Sequence, residues 1–124
     1  LVRKTILVVE DDLDLIELLR FNLDHAGFSV EAATDGSDAL KKTRSLLPDL
    51  ILLDLMLPEL DGFAVCEILR RDKRTAKIPI IILTAMSGEL ARVAGMGSGA
   101  NDFVTKPFSP KQLLARIESA LQPS

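Results

Sequence analysis

The chain has 124 residues, 48% of them hydrophobic, with 18 acidic and 15 basic side chains and a net charge of -3. That length builds one core of ordinary size and not two, so residues 1–124 are expected to form a single domain. The slightly negative balance argues against direct nucleic-acid binding by this chain, and a single cysteine, Cys66, excludes an internal disulfide. No apolar run approaches the roughly 18 residues of a membrane helix. No leader is visible before the first apolar run, so the expectation is a cytoplasmic protein with a reduced thiol. The chain opens on Leu1 rather than Met, which points to a piece of a longer protein.

Short apolar runs alternate with helical stripes. Thr5-Ile6-Leu7-Val8-Val9 is continuous, as expected of a strand covered on both faces. Leu15, Ile16, Leu19, Leu23 and Ala26 then recur at helical spacing, and Gly27 stops that helix. His25 reads as a solvated last-turn residue favoured by the helix dipole. Phe28 to Ala33 alternates, as a half-exposed strand should. Ala39, Leu40, Thr43 and Leu47 form the second stripe, ahead of Pro48. Leu50-Ile51-Leu52-Leu53 is the third strand, followed by a helix carrying Phe63, Val65, Cys66 and Leu69. The run Arg70-Arg71-Asp72-Lys73-Arg74 reads as a solvated helix end and loop, too short and too mixed for a nucleic-acid footprint. Ile78 to Leu83 is the fourth strand. Leu90, Val93 and Ala94 mark a weaker fourth helix with Gly88, Gly95, Gly97 and Gly99 in or near it. Each interior glycine lowers helix stability by roughly 1 kcal/mol, so this helix is expected to be the most labile. Asp102 to Val104 is a weak fifth strand. The last helix opens on Ser109-Pro110-Lys111-Gln112, a capping box with proline at the first helical position.

Strand and helix thus alternate about five times. That order predicts an α/β doubly wound fold, a five-stranded parallel sheet with about five helices joined by right-handed crossovers. Ligands of such sheets sit beyond the carboxyl ends of the strands. The first strand ends in Glu10-Asp11-Asp12 and the third in Asp54. If those strands are neighbours, several carboxylates converge, and like charges so close call for a cation. Hard oxygen ligands select Mg2+, with Mn2+ as a substitute. Asp12 doubles as the N-cap of the first helix. The fourth strand ends in Thr84-Ala85, and Lys106-Pro107-Phe108 follows the fifth, so a hydroxyl and an ammonium join the acids at one edge.

Five motifs then resemble the receiver domains of two-component response regulators. They are Val8-Val9-Glu10-Asp11-Asp12, Leu52-Leu53-Asp54-Leu55-Met56-Leu57-Pro58, Asp61-Gly62, Leu83-Thr84-Ala85 and Lys106-Pro107-Phe108, in the expected order along nearly the whole chain. The segment Lys106 to Leu113 looks most like receivers of the winged-helix transcription-factor subfamily. The resemblance implies a flavodoxin-like fold and assigns Asp54 as the residue that accepts a phosphoryl group. It makes Glu10, Asp11, Asp54 and the Met56 carbonyl the metal ligands, and Thr84 and Lys106 the contacts of the phosphoryl oxygens. It also implies a cis Lys106-Pro107 peptide.

On the same resemblance the phosphoryl donor is a sensor histidine kinase or a phosphotransfer protein. The domain is not an enzyme with turnover on a separate substrate; it promotes its own phosphorylation and dephosphorylation. The signal is expected to pass through Thr84 and Phe103 to the surface of the fourth helix, fifth strand and fifth helix. The output is transcription regulation if a DNA-binding domain is fused, or otherwise a phosphorelay or partner binding. Some members dimerise through that face, and Arg92, Asp102 and Arg116 match their charge pattern, whereas Gly97, Asn101 and Gln112 stand where charges are usual. Met56 and Met86 flank the path of the hydrolytic water and are expected to slow it. Two rivals share parts of the pattern. A nucleotide- or flavin-binding module needs a phosphate-cradling glycine loop after a strand, and none is present. A phosphatase of the haloacid dehalogenase type carries a second aspartate two residues after its nucleophile, where this chain has Met56.

Overall fold

The computed structural model describes residues 2–123; Leu1, on which the reading of a cut chain rests, and Ser124 lie outside the described residues. Ten elements alternate: β1 (Thr5–Val9), α1 (Leu13–His25), β2 (Ser29–Ala33), α2 (Gly36–Leu46), β3 (Leu50–Leu53), α3 (Gly62–Arg71), β4 (Ile80–Thr84), α4 (Glu89–Gly97), β5 (Asp102–Thr105) and α5 (Pro110–Ala120). All pairings are parallel, in the order β2-β1-β3-β4-β5. The doubly wound fold expected from the sequence is therefore present. Its decisive detail is the pairing of β1 with β3, in which Val9 stands opposite Leu53.

The apolar runs of β1, β3 and β4 are buried on both faces because each face has its own helical layer. Leu7, Val9, Ile51, Leu53, Ile80 and Ile82 pack under α2, α3 and α4. Ile6, Val8, Leu50, Leu52, Ile81 and Leu83 pack under α1 and α5. Burial of a Leu or Ile side chain contributes roughly 1.5–3 kcal/mol, so these central strands hold a large share of the apolar stabilisation. Cys66 is fully buried on α3, and burial raises its thiol pKa, so it is a core residue and not a reactive one.

The edge strand β2 has one side without a neighbouring strand. There the Val30 carbonyl accepts from Arg20 Nη1 at 2.9 Å and the Ala32 carbonyl from Lys42 Nζ at 2.6 Å. Arg20 belongs to α1 and Lys42 to α2, so the two caps come from opposite layers.

Three stripe assignments need correction. Ala26 is the exposed C-cap of α1 and not part of its buried face. Leu47 is the C-cap of α2, 53% exposed, with a left-handed backbone at φ 46° and ψ 63°. That conformation crowds a Cβ by roughly 1–2 kcal/mol. Leu47→Gly is expected to raise the stability by about 1 kcal/mol, which urea denaturation will measure. The third correction concerns α4. Its large apolar residues face outward: Leu90 is 88% and Val93 58% exposed. The helix docks through Gly95, which is buried, and Ala91. A Cβ at Gly95 would lie 2.8 Å from Ile82 Cδ1 and 3.1 Å from the Phe103 ring, so close approach, not side-chain volume, decides which face is inside. Among the described residues no helix is long and apolar enough to cross a membrane.

Candidate functional site

Sheet register brings the strand-end acids together. Glu10 directly follows β1 and its amide donates to the Ala33 carbonyl at 2.9 Å; Asp54 directly follows β3 and its amide donates to Val9 at 3.0 Å. Both thus continue the sheet ladder by one bond past the strand ends. Asp11 projects from the loop into α1, exposed, and ligand oxygens of Glu10, Asp11 and Asp54 all lie within 4.8 Å of one another. Asp12 caps α1 as expected, its Oδ1 accepting from Asp14 N at 3.0 Å and Leu15 N at 3.3 Å. Its own amide donates to Glu10 Oε2 at 3.1 Å, so the cap also orients the neighbouring acid.

Lys106 enters from the far side, after β5. The Lys106-Pro107 peptide is cis, as the resemblance implied. The Lys106 Nζ donates to Glu10 Oε1 at 2.7 Å and to Asp54 Oδ2 at 2.9 Å, with both carboxylates nearly buried. One ammonium therefore bridges two acids of a low-dielectric pocket, where each charge-assisted bond is strong. The other Asp54 oxygen, Oδ1, accepts from the Met56 amide at 3.0 Å.

These contacts drive the two carboxyls apart. Burial pushes Glu10 up; Lys106 and the Asp12 amide pull it down, the Asp54 charge adds to the rise, and the net result is a raised pKa. Burial pushes Asp54 up as well, but the Met56 amide, Lys106 and the nearby Thr84 hydroxyl outweigh it, so its pKa is lowered. The Thr84 Oγ1 also accepts from Met86 N at 3.3 Å. For Lys106, burial favours the neutral amine, yet the two acids hold it protonated and raise its pKa.

The sign of the linkage follows. Ionised Glu10 costs stability in the metal-free protein; the cost is absent below its ordinary value of 4.5 and complete above its raised folded value. A divalent cation held by these acids would bind the ionised form and reverse that cost. We therefore expect Mg2+ to raise the melting temperature most at neutral pH. The gain should fade as pH falls through the raised Glu10 pKa, in thermal melts with and without Mg2+.

Thr84 closes β4, fully buried, and Phe103, 8% exposed, lies under Gly95 of α4. Of the three charges expected at the output face, Asp102 and Arg116 pair within the chain, Oδ1 to Nη1 at 2.6 Å, while among the described residues Arg92 pairs with Glu89 at 4.0 Å. Met56 is 56% exposed at the site, whereas Met86 is half-buried against the core.

Two glycines contribute in a way the sequence reading did not assign: Gly62, quoted there only as part of the Asp61-Gly62 motif, and Gly36, which it did not single out. Gly62 opens α3 directly over the end of β3; its amide donates to Leu55 O at 3.1 Å, and a Cβ there would lie 2.4 Å from the Asp54 carbonyl oxygen. Gly36 opens α2 against the loop that follows Asp54, where a Cβ would lie 2.6 Å from Leu60 O. The signal available was an aspartate directly before each glycine: Asp35 and Asp61 are both N-caps.

Residues 6–118 match the family described as response regulator receiver domain. The chain is 47% identical to the alkaline phosphatase synthesis transcriptional regulatory protein PhoP of Bacillus subtilis, over 98% of this chain and 50% of that protein. It is 46% identical to the DNA-binding dual master transcriptional regulator RpaA of Synechocystis, over 94% of this chain and 48% of that protein. It is 48% identical to the DNA-binding response regulator MtrA of Mycolicibacterium smegmatis, over 97% and 51%. The chain thus spans about half the length of these relatives. Among solved structures, the BeF3-activated N-terminal receiver domain of Klebsiella pneumoniae RstA superposes with a TM-score of 0.90 at 32% identity, covering 97% of this chain and 100% of that one. The receiver domain of Francisella response regulator 1452 superposes at 0.89 with 31% identity, covering 96% and 97%. Sheet order, the acids beyond β1 and β3 and these matches along almost the whole sequence make the chain a member of the response regulator receiver domains.

Proposed function

We propose that residues 1–124 form one receiver unit in which Asp54 accepts a phosphoryl group from a histidine kinase or phosphotransfer protein. The carrying observation is the pocket in which Glu10, Asp11 and Asp54 converge while Lys106 bridges two of them. An Asp54 oxygen attacks phosphorus, the bond from phosphorus to the donor nitrogen breaks, and an acyl phosphate forms. The lowered pKa of Asp54 supports this role, because the attacking group must be ionised. Lys106, held protonated, moves from the carboxylate to a phosphoryl oxygen, and the Thr84 hydroxyl takes another.

The all-oxygen donor set of Glu10, Asp11 and Asp54, with the Met56 carbonyl, suits Mg2+. When bound, the ion supplies the positive charge that lets acids and phosphoryl oxygens share the pocket. Phe103 and Thr84 carry the change to the α4, β5 and α5 surface, where Arg92, Asp102 and Arg116 stand beside a second copy in the dimer reading. The likeness to DNA-binding transcriptional regulators supports transcription regulation as the output and a soluble cytoplasmic setting for the full protein. Removal of the phosphoryl group is by water. Met56, the more exposed of the two flanking methionines, is the one that shields the bond; Met56→Asn is expected to shorten the phosphoryl lifetime more than Met86→Glu.

The direct test is intact-mass spectrometry after acetyl phosphate with Mg2+. One phosphoryl group adds to the wild-type chain. Its undiminished addition to Asp54→Ala would reject the assignment.

A further inference from the structure

Arg70 contradicts the reading of the Arg70–Arg74 run as a solvated end. It sits in the last turn of α3, half-buried, and four of its bonds are internal. Nε donates to Gly99 O at 2.8 Å, Nη1 to Ala76 O at 3.1 Å and Ile78 O at 2.8 Å, and Nη2 to Asn101 Oδ1 at 2.9 Å. Among the described residues no carboxylate pairs with it within 4.0 Å. A cation satisfied by three carbonyls and an amide is not a surface charge. It is a fork that joins the loop before β4 to the loop between α4 and β5.

The second loop is built for this contact. Asn101 Oδ1 also accepts from Ile80 N at 2.8 Å, and Asn101 N donates to Ile80 O at 2.8 Å, so its backbone and side chain both hold the start of β4. Gly99, at φ +114°, lies so close that a Cβ would come within 2.6 Å of Arg70 Cγ. Ser98 Oγ closes the helix end by donating to Gly95 O at 2.6 Å. The opposite end of α4 has none of this. Gly88, at φ 101°, occupies the N-cap without a side-chain capping bond, and Leu90 is 88% exposed. Gly95 is the one residue of the helix that is buried.

We propose that α4 is a lever, pinned at its carboxyl end by the Arg70 fork and free at the amino end that follows Thr84. Arg70 is then a positioning residue for the output face: it fixes the pivot about which that face reorients. The source of the motion, Asp54 through Thr84, rests on the phosphoacceptor reading above; the pin does not.

Hydrogen exchange read by mass spectrometry on the full chain separates the two. In the wild type, amides of residues 98–103 should be protected while those at the start of α4 exchange fast. Arg70→Lys keeps the charge but loses the fork, and should speed exchange at 98–101 by about tenfold or more, leaving β1 and β3 unchanged. Asn101→Ala should act in the same direction, and Asn101→Asp, which retains an acceptor, should preserve protection. Wild-type protection in Arg70→Lys would overturn the pin, as would a uniform loss that includes β1 and β3. With acetyl phosphate and Mg2+, the change should be confined to the amino-terminal half of α4; an equal change at both ends would overturn the lever. Absence of any mass gain under the same treatment would count against Asp54 alone, because the pin is read in the untreated protein.

Discussion

Gly62→Ala is expected to destabilise the fold by about 3 kcal/mol and to slow phosphoryl acceptance, although the added group is one methyl on a helix. The added carbon would meet the Asp54 carbonyl oxygen at 2.4 Å and Leu55 Cα at 2.7 Å, both backbone atoms that no rotamer change can move. Either α3 lifts from the sheet or the end of β3 retreats. In both cases the Asp54 carboxylate leaves the reach of the Met56 amide and Lys106. Gly97→Ala is the matched control. A Cβ there meets nothing within 4 Å, so the gain in helix propensity stands alone, up to about 1 kcal/mol in favour of folding. Denaturant titration of the two variants, with the rate of acetyl phosphate labelling, checks both halves of the expectation.

Lys106→Met should lower two measurements and raise a third. Phosphoryl acceptance should fall about 10²-fold, the usual cost of removing one positioned donor from a developing anionic centre. Metal-free stability at neutral pH should fall by about 3 kcal/mol, because Glu10 and Asp54 remain buried without the ammonium that bridges them at 2.7 and 2.9 Å. Mg2+ affinity should rise, since the same pocket has lost a positive charge. Lowering the pH lets Glu10 take a proton and should restore part of the lost stability. Mg2+ titration by calorimetry at neutral pH is the discriminating experiment: weaker binding in Lys106→Met would show that the lysine organises the acids and does not compete for them.

Much of this was legible before the structure. The unbroken apolar runs of β1, β3 and β4 state that both faces are covered, and a residue type that is wrong for a buried strand, an acid, marks where β1 and β3 leave the sheet. What those runs do not state is which strands are neighbours. The meeting of Glu10 with Asp54 depends on β1 lying beside β3, a property of chain crossovers and not of any local pattern. The α4 stripe misled for a related reason. Periodicity assigns volume to the inside, whereas this helix approaches the sheet through Ala91 and Gly95 and leaves Leu90 and Val93 outside. Arg70 was misread because composition cannot tell a charge in water from one bonded to carbonyls. Leu47 was misread because its left-handed backbone has no sequence signature in a leucine.

The two caps on β2 bear on how the protein behaves in a crowded cell. An incoming extended segment that tried to lengthen the sheet would find the Val30 and Ala32 carbonyls already taken by Arg20 and Lys42. It would have to displace two charged donors, anchored in opposite layers, before it could bond to those carbonyls. Uncontrolled sheet growth is thereby disfavoured along that edge. Self-association, where it occurs, is left to surfaces other than the open strand.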